Sequence, residues 1–329
     1  MKFTALKVFS EGGKRASRYV EQTLEELDPG EVLIRAKHAA VNYKDARAVS
    51  GAGNVVKRFP CIPGIEVSGT VVQSSAPGFR EGDTVTVQGG PDFGIRHHGA
   101  YAEYVRVPAA WVARIPEGFD EYDVVALGIG AYTSAVAVEG LIALGVTPDQ
   151  GPIVVTGATG GCSSFAIDML AGLGYTVVAS TGKSAEATYL KTIGAAEVIG
   201  RDEIATGPKP LEDQRWAGAI DAVGGAPLDQ ILRTMKKNGV VCCFGNAAGE
   251  TFTSSIYPFI LRSVKLVGIN ANHPVEKRTS GWQRMRRGGD LRPRHLDSIC
   301  HEIAFRDLQQ YCDDVIAGGI RGRAVVKIR

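Results

Sequence analysis

The chain has 329 residues, 22% of them charged and 44% hydrophobic, proportions that exclude a disordered or collagen-like polymer and leave enough apolar surface for large cores. Lys and Arg number 37 against 35 Asp and Glu, a net charge of +2 that is too balanced for a protein living on nucleic-acid phosphates. The length predicts two domains.

The N-terminal run MKFTALKVFSEGG lacks the apolar core of a secretion signal, and the apolar stretches read as too short to span a bilayer, so a cytoplasmic protein without a membrane partner is expected. Residues 1 to about 120 form short β-rich pieces, EVLIRAKHAAV, VSGTVVQS, DTVTVQ and AYAEYVRV, punctuated by Asp28-Pro29-Gly30, Ala76-Pro77-Gly78 and Glu81-Gly82-Asp83. A small barrel or rolled sheet is predicted there. From Asp123 a helical run, DVVALGIGAYTSAVAVEGLIALG, opens an alternation of strands and helices, the signature of a parallel sheet. Strands are predicted at Pro152 to Thr156, Tyr175 to Ala179, Glu197 to Ile199, Ala217 to Asp221, Val240 to Phe244 and Val264 to Ile269. Helices are predicted at Ser164 to Leu173, Ser184 to Ile193 and Pro227 to Lys236. After Ile269 the chain turns helical and basic, and Arg323 to Ile328 is a β-prone run expected to return to the N-terminal sheet. Cys61, Cys162, Cys242, Cys243, Cys300 and Cys312 show no C-x-x-C spacing, and read as buried thiols rather than a disulfide or zinc framework.

The strand PIVVT runs into Gly157, Ala158, Thr159, Gly160, Gly161, Cys162 and Ser163, and then into a helix. Strand, glycine turn and helix in that order bring backbone N–H groups to a helix N-terminus, where they can hold a pyrophosphate. The third glycine usual in this turn is Ser163 here, which predicts looser helix–strand packing and weaker cofactor binding. An NAD site places an acid about 20 residues past the first glycine, on the ribose hydroxyl. Here the second strand ends in Ser180, Thr181, Gly182 and Lys183, two hydroxyls and a cation that suit a 2′-phosphate, so NADP is favoured over NAD. A plain helix cap by Ser180 and Thr181 is the alternative.

Three segments, Asn42-Tyr43-Lys44-Asp45, Phe59 to Glu66 and Gly99-Ala100-Tyr101-Ala102-Glu103-Tyr104, resemble the medium-chain dehydrogenase/reductases. Asn42-Tyr43-Lys44-Asp45 and Pro258-Phe259-Ile260-Leu261-Arg262 together narrow the resemblance to their acrylyl-CoA reductase and quinone oxidoreductase-like group, with added support from the Gly322-Arg323 ending. The resemblance covers essentially the whole chain. It implies an α/β protein with a GroES-like β-rich catalytic domain, residues 1–123 and 270–329, and a Rossmann doubly wound parallel sheet domain, residues 124–269. It further implies NADPH as cofactor, a homodimer built on the Rossmann edge, and hydride transfer to the activated C=C bond of a small enoyl thioester. Cofactor contacts are carried over to Tyr43, Thr159, Gly160, Gly161, Cys162, Thr181, Gly182, Lys183, Arg201, Gly245, Asn246 and Arg323. Ile129, His98 and the Asn270-Ala271-Asn272-His273 stretch depart from the group's pattern.

Zinc enzymes of the superfamily need Cys and His ligands where this chain has Asn42-Tyr43 and Ile65, so no metal site is expected. His97 and His98 read as pocket-lining or loop residues rather than ligands. Without metal, charge developing on a substrate carbonyl needs fixed donors. Tyr43 is the candidate donor, or else it only stacks on the cofactor, while Asp45 and Glu66 read as structural acids of the core. Lys277, Arg278, Arg284, Arg286, Arg287, Arg292 and Arg294 form a basic run opposed in sequence only by Asp290. It reads as a solvated face or as a counter-surface for the phosphates of coenzyme A. A zinc-independent quinone or enone reductase and a non-catalytic NADPH-binding sensor are the other functions the sequence allows.

Overall fold

The computed structural model describes residues 1–204, 207 and 209–329. The chain forms two compact units, one of residues 1–129, 272–279 and 300–329, the other of residues 130–271 and 280–299. The first boundary therefore lies at 129/130 rather than 123/124. Residues 280–299, expected with the β-rich domain, group with the parallel sheet.

The first unit starts with a hairpin, β1 (Lys2–Glu11) and β2 (Lys14–Thr23), whose Gly12 and Gly13 both take the positive φ of a tight turn. It continues through β3 (Val32–Ala40), α1 (Tyr43–Val49), β4 (Glu66–Ser74), β5 (Thr84–Gln88), β6 (Tyr104–Val107) and β7 (Val112–Arg114). Val32, Ile34, Val67, Val71, Val85 and Val87 alternate into one core, the period of two that a half-buried strand demands.

The helix that leaves this unit, α2 (Asp123–Ala143), is long and apolar enough to cross a membrane by length and composition, contrary to the estimate from apolar runs. Most of that apolar stretch, 72% of it, is buried, and the helix is broken at Gly128 (φ 45°, ψ −151°), the mark of a core helix.

In the second unit six strands lie parallel: β8 (Ile153–Val155), β9 (Val177–Thr181), β10 (Glu197–Gly200), β11 (Trp216–Asp221), β12 (Met235–Cys243) and β13 (Lys265–Gly268). Their order is β10-β9-β8-β11-β12-β13, which reverses between β8 and β11. Helices α3 (Gly161–Gly172), α4 (Ala187–Thr192) and α5 (Gly225–Thr234) fill the crossovers, and α6 (Tyr257–Arg262) precedes the edge strand. Pro227 sits in the first turn of α5, where its missing N–H costs nothing, but Lys236, expected in that helix, lies in β12. Helix α6 is pinned by Arg262, whose guanidinium donates to the carbonyls of Glu212, Arg233 and Met235.

After α7 (Thr279–Met285) and α8 (Leu296–Ile299), the chain returns to the first unit as β14 (Cys300–Ala304), α9 (Leu308–Ile316) and β15 (Arg323–Lys327). Strand β15 pairs antiparallel with β3, the return expected of the terminal run, and completes a seven-stranded sheet.

Candidate active site

The sheet of the second unit carries its loops to one edge. A parallel sheet leaves a crevice at the carboxyl ends of its strands where the strand order reverses, and here that is the gap between β8 and β11. Gly157 to Cys162 follow β8, Thr181 to Lys183 close and follow β9, Arg201 follows β10, and Gly245 and Asn246 follow β12. The structure thus brings ten of the twelve positions named from sequence to one edge of one sheet. Tyr43 and Arg323 belong to the other unit.

The turn after β8 is rigid. Gly157 takes φ +55°, which a side chain would strain, and Gly160 caps α3 without offering any side-chain oxygen to the first amides. An uncapped twelve-residue helix opening on glycines fits a pyrophosphate. Ser163, expected to loosen this packing, does the opposite: it is buried and its Oγ donates to the Thr156 carbonyl at 2.8 Å, tying helix to strand end. Ser164 Oγ donates to the Ala158 carbonyl, and Ser134 Oγ lies 2.6 Å from the Cys162 carbonyl. Beside the turn, Asp221 is buried, its carboxyl pushed up by burial while Thr156 Oγ1 donates to it at 2.7 Å and the Gly224 N–H at 2.8 Å. A side chain at Gly245 would overlap the Ala222 carbonyl, so the loops after β11 and β12 touch only because residue 245 has none.

At the end of β9, Thr181 Oγ1 accepts the Lys183 N–H at 3.0 Å, the helix-cap type of contact weighed from sequence. The Arg201 guanidinium lies over Gly182, where a Cβ would collide with it. Burial lowers the pKa of Lys183, Glu186 opposes that shift, and Arg201 adds to it. Two neighbouring cations and a hydroxyl together fit a phosphate dianion.

In the first unit the polar centre is a buried ion pair. Glu66 is fully buried, and its Oε2 accepts from Arg323 Nη2 and from Asn42 Nδ2, the latter at 2.8 Å. Arg323 Nη1 donates to Asn42 Oδ1 at 2.8 Å. Asn42 caps α1, and its N–H and Nδ2 both donate to Asp45 Oδ2, at 2.9 and 3.0 Å. The first residue of that helix is Tyr43, 46% exposed, so a phenol stands in solvent on a base locked by buried charges. The structural roles read for Asp45 and Glu66 are the ones seen. Arg323, named as a cofactor contact, donates to Glu66, Asn42 and the Val125 carbonyl. Sequence reading also missed Gly128; the closely spaced Gly128 and Gly130 inside a helical run were the available signal.

The departures at Ile129 and His98 are accommodated. Residue 129 contributes its backbone N–H, to Glu66 Oε1 at 2.5 Å, so its side chain is not what that contact needs. His98 is buried, accepts the Ile62 N–H at Nδ1, and is pushed down to about 4 by burial, so it is a neutral structural group rather than a pocket or loop residue. His97 faces the carbonyls of His98 and Pro29. Among the described residues no group of three or more His, Cys, Asp and Glu is placed to hold a metal ion. The carboxylate and amide nearest the expected position are already engaged by a guanidinium, a donor set that does not fit zinc.

A GroES-like β unit joined to a doubly wound parallel sheet with a glycine cradle is the architecture of a nucleotide-dependent dehydrogenase or reductase. The alcohol dehydrogenase GroES-like domain pattern matches residues 28–117, and the zinc-binding dehydrogenase pattern matches residues 161–286. The acrylyl-CoA reductase AcuI of Ruegeria pomeroyi is 38% identical over 97% of this chain and 96% of its own length. The Bacillus subtilis protein named "Putative quinone oxidoreductase YhfP" is 38% identical over 92% of each chain, and its structure with NAD bound superposes at a TM-score of 0.93 over all of both chains, at 36% identity. Escherichia coli YhdH, solved with bound NADPH, superposes at 0.94 over 99% of this chain and 100% of its own, at 37% identity. The chain belongs to the medium-chain dehydrogenase/reductase family.

Burial, first among its causes, pushes the carboxyl of Asp45 up to about 7, against hydrogen bonds from Asn42 that pull it down. The folded state then binds a proton the unfolded state has lost, so this group's contribution to stability is fully present below about pH 4 and is lost as pH rises through 7. Urea unfolding of Asp45→Asn should accordingly show a flatter stability profile between pH 4 and 7 than the parent protein.

Proposed function

We propose that the protein binds NADPH and reduces the activated C=C bond of a small enoyl thioester of the acrylyl-CoA type. The observation that carries the cofactor is the Thr181, Lys183 and Arg201 cluster at the adenosine end of the crevice, where an NAD site would carry an acid. The likeness to AcuI along nearly the full length of both chains supports the substrate class. When bound, NADPH supplies a hydride from its nicotinamide. The chain's own part is to hold the pyrophosphate at Thr159 to Cys162 and the 2′-phosphate at Thr181 to Lys183 with Arg201. Gly245 and Asn246 shape the inner end of the crevice, and the Tyr43 hydroxyl is the donor for charge developing on the thioester carbonyl. A quinone or enone reductase is the second reading, favoured by the name of the YhfP relative. No disulfide joins the six cysteines, which supports a cytoplasmic setting.

The proposed nucleotide polarity sets the first test. Removing a charge-assisted contact worth about 1.5–3 kcal/mol, Lys183→Ala should weaken NADPH binding roughly tenfold or more and leave NADH nearly unchanged; equal losses for both would remove the 2′-phosphate assignment.

The basic run is less uniform than its sequence. Arg278 is buried on the carbonyls of Gln88 and His273, Arg284 pairs with Glu139 and Asp290, and Arg294 approaches Asp168 at 3.7 Å. Three acids, not Asp290 alone, oppose it. Arg286 and Arg287 remain exposed, and they are the residues offered to the phosphates of coenzyme A. Acrylyl-CoA should then show a higher kcat/KM than acrylyl-pantetheine, by a margin that shrinks with salt and disappears in the Arg286→Glu, Arg287→Glu double variant. Equal rates for both substrates would favour the enone reductase.

A homodimer is proposed through the edge of the parallel sheet. Strand β13 has no outer neighbour among the described residues, and Ile256, Tyr257, Ile260 and Leu261 beside it are exposed by 45–62%. Light scattering should give a dimer that Ile260→Asp converts to monomer; a monomeric parent protein would overturn the assignment.

A further inference from the structure

Helix α2 is interrupted by one residue, and the interruption is answered on both sides by one ion pair. In an unbroken α-helix the Ile129 N–H would donate to the Val125 carbonyl, four residues back. Gly128, at φ 45° and ψ −151°, turns the chain out of helical geometry between them. The Ile129 N–H donates instead to Glu66 Oε1 at 2.5 Å, and the Val125 carbonyl accepts from Arg323 Nη2 at 3.2 Å and Nε at 3.4 Å. Glu66 and Arg323, bonded to each other, are thus inserted into a single backbone hydrogen bond. The signs match the helix dipole: the carboxylate meets the N-terminus of the second segment and the guanidinium meets the C-terminus of the first. A side chain at residue 128 would overlap both Glu66 Oε1 and Arg323 Nη2, so only glycine lets the pair in.

The same two groups hold Asn42 at both ends of its amide, Nδ2 on Glu66 and Oδ1 on Arg323, and Asn42 is the cap from which Tyr43 starts α1. The boundary between the two compact units falls one residue past Ile129. Resting on the reading of Tyr43 given above, we infer that Glu66 and Arg323 are positioning residues: one buried pair fixes both the break in α2 and the start of the helix that presents the Tyr43 hydroxyl. In this role Glu66 and Arg323 act through Asn42 and the backbone of α2. They set where Tyr43 stands and where the chain leaves for the nucleotide-binding unit.

The test compares the full-length protein with Glu66→Gln, which removes the charge at nearly constant shape. Amide exchange across residues 125–131 and at the start of α1 should quicken by about tenfold or more, because the Ile129 N–H and the Asn42 amide both lose their charged acceptor and Arg323 loses its counter-charge. The kcat for acrylyl-CoA should fall by roughly tenfold with KM and the NADPH dissociation constant held within about twofold, since the pyrophosphate and 2′-phosphate contacts proposed above, Thr159 to Cys162, Thr181 to Lys183 and Arg201, lie on the other unit. Glu66→Asp keeps the charge, hence a partner for Arg323, and should recover part of the kcat; it is also the deciding variant if Glu66→Gln does not fold. Faster exchange with an intact kcat would overturn the inference by reducing the pair to a structural clamp, and unchanged exchange would show that it does not hold the break. Absence of turnover in the unmodified protein would remove the functional reading, and this inference with it; turnover that Glu66→Gln leaves unimpaired would remove this inference alone.

Discussion

Buried backbone groups must find partners, and this constraint organises both units. A strand-to-helix turn that holds a phosphate has to present N–H groups while leaving no carbonyl stranded behind it. Around Gly157 the work is done by hydroxyls: Ser163 takes the Thr156 carbonyl, Ser164 the Ala158 carbonyl, and Ser134 faces the Cys162 carbonyl. Each hydroxyl faces inward to a carbonyl, which suits the proposal that the amide side of the turn meets the nucleotide. In the first unit the same demand, placed by the break at Gly128, is met by full charges. The difference follows from the helix dipole, whose two cut ends want opposite charges, and a carboxylate–guanidinium pair supplies both in one object.

A buried pair of this kind is not economical as a source of stability, because desolvating two ions consumes most of what their attraction returns. Its value is geometric. A guanidinium fork satisfies Asn42, Glu66 and Val125 only from one position, and the carboxylate reaches Arg323, Asn42 and Ile129 only from one position. Asp45 extends the set by accepting both donors of Asn42. Four polar side chains therefore determine one another, and the exposed Tyr43 phenol inherits its place from the half-buried Asn42 and from three buried charged groups behind it.

How much of this the sequence revealed depends on the range of the interaction. The glycine turn, the six strands of the parallel sheet and the return of Arg323 to Ile328 were legible because each is a local pattern of periodicity or turn chemistry. The Ser163 contact was not, since a serine in place of glycine reads as lost packing until the carbonyl it meets is known. The β1/β2 hairpin went unremarked although the Gly12-Gly13 pair between alternating residues announces it. The boundary error of six residues at α2 has one cause: the hydrophobic run is continuous across Gly128, and what interrupts it comes from residues 66 and 323.

The basic run makes the same point about charge. Seven cations between residues 277 and 294 read as one electrostatic surface because only Asp290 stands among them. Folding brings Glu139 from α2 and Asp168 from α3 against Arg284 and Arg294, and turns Arg278 inward to two carbonyls. Such pairs fasten residues 280–299 to the helices of the parallel sheet, which is why that stretch leaves the β-rich unit to which its place in the chain had assigned it. A charge cluster in sequence is thus a mixture of tertiary fasteners and surface charge. Only the second kind, here Lys277, Arg286 and Arg287, has electrostatic attraction left to offer an anionic ligand.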